Sequence, residues 1–222
     1  MRWLLIMAAS IATATTSDVS AMRYAAAQAA RDASPRVMLD NPRVRVYRAD
    51  CRLPTADCSS VLTGVDHGPA VVVSLEDSPG AKAGSAVWVD DAAAPSSTSS
   101  FRGSIVIVQP RRQAAATAAP AGSKPGDAPF TGMSFNPIFE NDRVSVIRAR
   151  MEVGAREGFH AHGSDTIVVH LSGGEIEDTA NGKTVVNRWK RGDVEFEGIG
   201  TSHSAKNAGG AVDVVLVALK PQ

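Results

Sequence analysis

Two ten-residue segments, NPRVRVYRAD at Asn41 to Asp50 and NDRVSVIRAR at Asn141 to Arg150, stand one hundred residues apart and share Asn, Arg, Val, Val, Arg and Ala in register. In both, valines alternate with polar residues, the pattern of a strand with one buried face. The likeness continues more loosely. GPAVVVSLED parallels DTIVVHLSGGEIED, GSAVWVDD parallels GDVEFEGI, and GSIVIVQP parallels VDVVLVAL. Each copy offers several short strands bounded by Gly, Pro, Asn and Asp turns, and helical periodicity is almost absent. Such a chain is expected to be all-β, a sandwich or barrel, in two tandem units.

Between the copies, PRRQAAATAAPAGSKPGDAP at Pro110 to Pro129 is rich in Ala, Pro and Gly and poor in bulky apolar residues. That composition predicts a flexible linker, over residues 110–132, between a first unit at 37–109 and a second at 133–222. At the N-terminus, MRWLLIMAASIATA has one basic residue, an apolar run from Trp3 to Ile11, and small residues at Ala12 and Ala14. This is the layout of a secretory signal peptide, with a second possible cut after Ala21; the alternative is a short hydrophobic strand or helix of a cytoplasmic protein. The run is too short to span a bilayer, which needs roughly 20 apolar residues. Alanine propensity allows a short helix at Ala21 to Arg31 within the segment 22–36.

The two cysteines, Cys51 and Cys58, fit neither zinc-ligand nor C-x-x-C redox spacing. A local disulfide in an oxidising compartment is the expectation, and it agrees with a secreted or periplasmic location. Lys plus Arg and Asp plus Glu number 23 each. With no net charge, there is no field favouring nucleic acid or an anionic membrane, so neither is expected as a partner.

The chemistry concentrates in the second copy, at GFHAHGSDTIVVHLSGG. His160 and His162 lie two apart, so on a strand they share a face about 6.6 Å apart and can converge on one ion. His203, in GDVEFEGIGTSHSAKN, follows some forty residues later, far enough for an antiparallel barrel to bring the chain back beside them. No catalytic acid, base or nucleophile is fixed by a motif.

These segments resemble the two cupin motifs. Gly154 to Gly173 is similar to the first, in which a glycine, five residues and His-x-His precede a glutamate and a further glycine. Gly192 to Asn207 is similar to the second, with Gly192, Gly200, His203 and Asn207 in place and Gly198 where a proline usually stands. The resemblance covers about Asn141 to Lys220. It implies a cupin-type double-stranded β-helix, or jelly-roll barrel, with the first copy a degenerate second unit, a bicupin.

It also implies that His160, His162 and His203 bind a divalent transition metal. The glutamate position falls on Thr166 or Ile167, neither of which is a carboxylate. Strand parity puts Thr166, Val168 and His170 on one face and Asp165 on the other, unless a bend at Gly163 shifts the register. His170 is read as a satisfied barrel or surface histidine, Glu157 and Glu197 as solvated charges with reach to the ion through loop geometry as the alternative, and His67 as lacking partners for a metal site. Three neutral imidazoles leave the full charge on the ion, favouring an anionic or thiolate ligand; Fe, Zn, Ni, Cu and Mn all remain open.

Two functions follow. One is a small-molecule metalloenzyme, dioxygenase-like by analogy, with its substrate near Phe159 and Phe196. The other is a noncatalytic metal- or ligand-binding cupin. A small-molecule ligand is the partner common to both, and cupins' habit of pairing through their sheets implies a homodimer.

Overall fold

The computed structural model describes residues 34–51, 58–94, 101–111 and 130–221. The expected signal peptide, the expected helix at Ala21 to Arg31 and most of the expected linker lie outside the described residues. The described residues all fall within one compact unit. No helix among the described residues is long and apolar enough to cross a membrane.

The strands are β1 (Arg36–Asp40), β2 (Val44–Cys51), β3 (Ala70–Ser74), β4 (Ala86–Val89), β5 (Gly103–Pro110), β6 (Phe130–Glu140), β7 (Val144–Ala161), β8 (Thr166–His170), β9 (Gly174–Ala180), β10 (Lys183–Trp189), β11 (Val194–Glu197), β12 (Ser202–Asn207) and β13 (Val212–Leu219). One short helix, α1 (Cys58–Val61), runs into a 3-10 turn at Leu62–Gly64. All strand pairs are antiparallel.

The repeat in the sequence is a repeat of structure. The first copy is a five-stranded sheet in the order β1-β2-β5-β3-β4. In the second, β6-β7-β13-β8-β11 follows the same order. The asparagines that open the two matched segments make the same turn: the Asn41 side chain accepts from the backbone of Arg43 and Val44 at 2.8 and 2.9 Å, and Asn141 from Arg143 and Val144 at the same distances. Asp40 pairs with Arg111 at the end of the first sheet, as Glu140 does with Lys220 at the end of the second.

The second copy adds what the first lacks. From Arg156 to Ala161 the C-terminal end of β7 pairs with β12, β12 pairs with β9, and β9 with β10, giving a second layer that curls over the first. This is the jelly-roll arrangement: one long strand serves both sheets, and a hollow lies between them.

The two copies meet sheet to sheet. Val71, Val73, Val106 and Val108 of the first pack against Ile167, Val169, Val215 and Val217 of the second, all fully buried. Alternate residues of the first sheet, Ala70, Val72, Ile105 and Ile107, face a separate apolar core closed by Val61, Leu62 and Val65. Strands with apolar neighbours on both faces explain the unbroken runs AVVV and SIVIV, which alternation alone would not produce. The Cys51–Cys58 disulfide joins the end of β2 to α1 beneath that core. By the loop-closure argument so short a bridge contributes about 2 to 3 kcal/mol.

The contact between copies is pseudo-symmetric. Arg148 donates to the carbonyl of Ala83 at 3.1 Å, and Arg48 to that of Arg191 at 3.3 Å. The glycines that follow these carbonyls, Gly84 and Gly192, have φ of 81° and 83°. A methyl on Gly84 would lie 2.6 Å from the Leu171 side chain, and one on Gly192 would lie 2.7 Å from Arg48 and 2.9 Å from Leu75. Both the left-handed backbone and the close approach therefore require glycine. Gly84→Ala and Gly192→Ala should each cost about 1 to 3 kcal/mol, read as a lowered thermal midpoint; unchanged midpoints would show that the interface yields easily.

Candidate metal and ligand site

Parity fixes what faces the hollow. With Ile167 and Val169 turned to the inter-copy core, Val168 and His170 turn inward, and with Val215 and Val217 outward, Val214 and Leu216 turn inward. The result is a cavity of about 110 Å³, walled by these residues with Met151, Ile176, Trp189 and Ala205. Four carboxylates, Glu157, Asp178, Glu195 and Glu197, also line it.

At one end His160, His162 and His203 come together. His160 and His203 are directly paired across β7 and β12. One ring nitrogen from each of the three lies within 4.8 Å of the other two, and ring centres are 4.8 to 5.0 Å apart. Phe130 stands edge-on to His160, with ring centres 5.4 Å apart.

Each Nδ1 faces an oxygen. His160 Nδ1 donates to the Gly158 carbonyl at 3.0 Å and His203 Nδ1 to Asp178 Oδ1 at 2.8 Å. His162 Nδ1 lies 3.4 Å from Glu197 Oε2. With the proton on Nδ1, the lone pair of a neutral imidazole is on Nε2. His203 Nε2 is buried and has no hydrogen-bond partner. Burial, with His203 and His160 beside it, pushes the pKa of His162 down to about 4. Three imidazoles, held from behind by oxygens and including an orphaned buried nitrogen, fit a divalent transition ion.

Several other residues lie elsewhere than the sequence suggests. Glu197 and Glu157 are not solvated charges: both line the cavity and are about one-fifth exposed. Glu197 is paired across strands with Thr166, so a carboxylate stands beside the position where the cupin motif has its glutamate. Burial and the neighbouring Glu195 push the pKa of Glu197 up to about 8, and burial with Asp178 raises Glu195 to about 6.

Phe159 and Phe196 do not wall the cavity. Phe159 is 68% exposed, and Phe196 packs on the inter-copy core because Glu195 and Glu197 take the inward positions around it. Asp165 is buried, accepts from the Ile199 amide at 2.9 Å and pairs with Arg43 of the first copy at 3.3 Å, a tie between copies. Ile167 lies in the inter-copy core. His67 is on the surface, 2.8 Å from Asp91, which raises its pKa.

His170 is inside the barrel but is not satisfied: it is 3% exposed, and neither ring nitrogen has a hydrogen-bond partner. Its ring stacks on Trp189 at 4.6 Å, and Glu195 Oε2 is 4.0 Å from its Nε2. Asp178, Glu195 and Trp189 had no motif to mark them. Parity applied to VEFE could have found Glu195, once the strand was known to have a core behind it.

The C-terminal unit is a two-layered antiparallel jelly roll in which the histidines of both motif segments converge. No protein-family model and no curated protein matches the sequence. Among solved structures the chain is similar to a cupin domain from Bordetella pertussis Tohama I, at 24% identity and a TM-score of 0.39 over 41% of this chain and 97% of that one. It is also similar to an RmlC-like cupin from Shewanella frigidimarina, at 16% identity and TM-score 0.34 over 48% of this chain and 96% of that one. KdgF from Halomonas sp. is similar at 17% identity and TM-score 0.35, over 48% and 94% of the two chains.

Burial holds the pKa of His170 near 4, with only Asp193 opposing it. Its folded value lies below the ordinary 6.5, so the stability it contributes is present above pH 6.5 and is lost as pH falls through 4. His170→Phe, which keeps a ring against Trp189, should flatten the fall in stability of metal-free protein over that window by about 3 kcal/mol. Urea unfolding at a series of pH values measures this, and an unaltered acid limb would contradict it.

Proposed function

We propose that this is an exported cupin-domain protein that binds one divalent transition metal through His160, His162 and His203 and presents it to a small molecule held in the barrel cavity. The observation that carries the reading is the convergence of the three imidazoles with each Nδ1 backed by an oxygen. The open cavity supports a ligand beside the metal, since a barrel filled by side chains would leave it no room. The disulfide supports export.

Bound there, the ion would supply Lewis-acid polarisation or, for a redox metal, an electron and oxygen site. The chain's own groups do the rest. Asp178, Glu197 and the Gly158 carbonyl fix the rings, and Met151, Ile176, Val214 and Leu216 exclude water. Glu195, poised near 6, and Glu197, poised near 8, can hold or release a proton at the cavity wall. This supplies the acid–base group that no sequence motif provided, and favours a metalloenzyme over a purely binding domain. With carboxylates around the cavity, the substrate is a neutral or cationic small molecule.

Protein purified without chelators should carry close to one transition metal per chain by elemental analysis, and the His160→Ala, His162→Ala double variant should carry none while remaining folded. Metal at about one hundred times its dissociation constant should stabilise the stripped protein by about 2.7 kcal/mol. Asp178→Asn should weaken metal binding roughly 10- to 100-fold by freeing the His203 ring. Wild-type protein that neither carries nor takes up metal would end the reading.

A further inference from the structure

We propose that Glu157 is the fourth protein ligand of this centre, standing in for the glutamate that the first cupin motif would place at Thr166 or Ile167. The inference rests on the reading of the three histidines as a metal site.

Strict alternation along β7 would turn Glu157 to the face opposite His160 and His162. The pairing with β12 breaks that alternation. His203 pairs with His160 and Ala205 with Glu157, two residues of β12 against three of β7. The extra residue is a bulge, and it reverses the parity upstream of it, so that Glu157 lines the cavity with His203.

Its position differs from that of the other carboxylates. Asp178 and Glu197 approach Nδ1 atoms, at 2.8 and 3.4 Å, behind the rings. Glu157 Oε2 instead lies 3.9 Å from His203 Nε2, the buried nitrogen with no partner. Two ligands each roughly 2.1 Å from one ion at a tetrahedral angle are about 3.4 Å apart. A side-chain shift of about half an ångström would bring Glu157 to that separation from His203, and a further turn of the side chain must carry it toward His160 and His162, whose nitrogens already lie within 4.8 Å of that of His203. The motif positions offer no rival: Ile167 is in the inter-copy core, and Thr166 has a hydroxyl that reaches only the Ser164 carbonyl, at 3.5 Å.

The test uses the full chain, stripped of metal and titrated with Co(II) and Zn(II), reading affinity and the Co(II) visible spectrum. Glu157→Gln should lower affinity at least tenfold and change the spectrum, because a ligand is lost. Glu197→Gln should lower affinity but keep the wild-type spectrum, because only the His162 ring is freed. Adding Thr166→Glu to Glu157→Gln should recover affinity. The inference is overturned if wild type binds metal and Glu157→Gln matches it in affinity and spectrum, or if Glu197→Gln alone changes the spectrum. Failure of wild type to bind metal is a different result, which overturns the three-histidine reading itself. If Glu157→Gln does not fold, Glu157→Asp, which draws the oxygens back by one methylene, carries the same two outcomes.

Discussion

The apolar contact between the two sheets governs the rest of the molecule. Once Ile167, Val169, Val215 and Val217 are committed to the core shared with the first copy, the two-residue period of a strand leaves no choice for their neighbours. Val168, His170, Val214 and Leu216 must line the barrel, and on β11 the commitment of Val194 and Phe196 outward drives Glu195 and Glu197 inward. A shift of one residue in any of these strands would put carboxylates in the dry core and valines in the site. The first copy thus acts as more than a vestige. It covers the face of the barrel that would otherwise be exposed, and its Arg43 and Arg48 reach across to Asp165 and the Arg191 carbonyl.

The two copies use one strand order for opposite ends. In the first, the inward positions are Ala70, Val72, Ile105 and Ile107, and they join an apolar cluster. In the second, a further layer of strands supplies His203 and Asp178, and the space is hollow and polar at one end. By strand register, Ser74 of the first copy corresponds to His170 and Val89 to Glu197. The titratable groups are present only where the second layer exists to enclose them. Enclosure is also what raises Glu195 and Glu197 and lowers His162 and His170. Low dielectric disfavours each charged form, and mutual proximity adds to it.

The strands, the repeat and the convergence of the histidines were legible in the sequence because each is written as a period or a spacing: the alternating valines of the matched segments, and the two-residue step from His160 to His162. The carboxylates were not. VEFE reads as a surface strand with one buried phenylalanine, and only knowledge that a second sheet lies behind it reverses which residues are inside. Glu157 was hidden by a bulge, a feature of pairing between distant strands with no local mark. Asp178 lies 25 residues from His203 and meets it through the pairing of β9 with β12. The sequence reads His170 as satisfied, whereas neither of its buried ring nitrogens has a hydrogen-bond partner and the Glu195 carboxylate stands 4.0 Å from Nε2.

The central claim is that three imidazoles, bonded through Nε2, hold one ion. X-ray absorption at the metal edge of protein loaded with Zn(II) or Co(II) tests it most directly. The account predicts outer-shell scattering from three histidine rings, with first-shell nitrogen and oxygen bonds at roughly 2.0 to 2.2 Å. A spectrum showing one imidazole or none would contradict it.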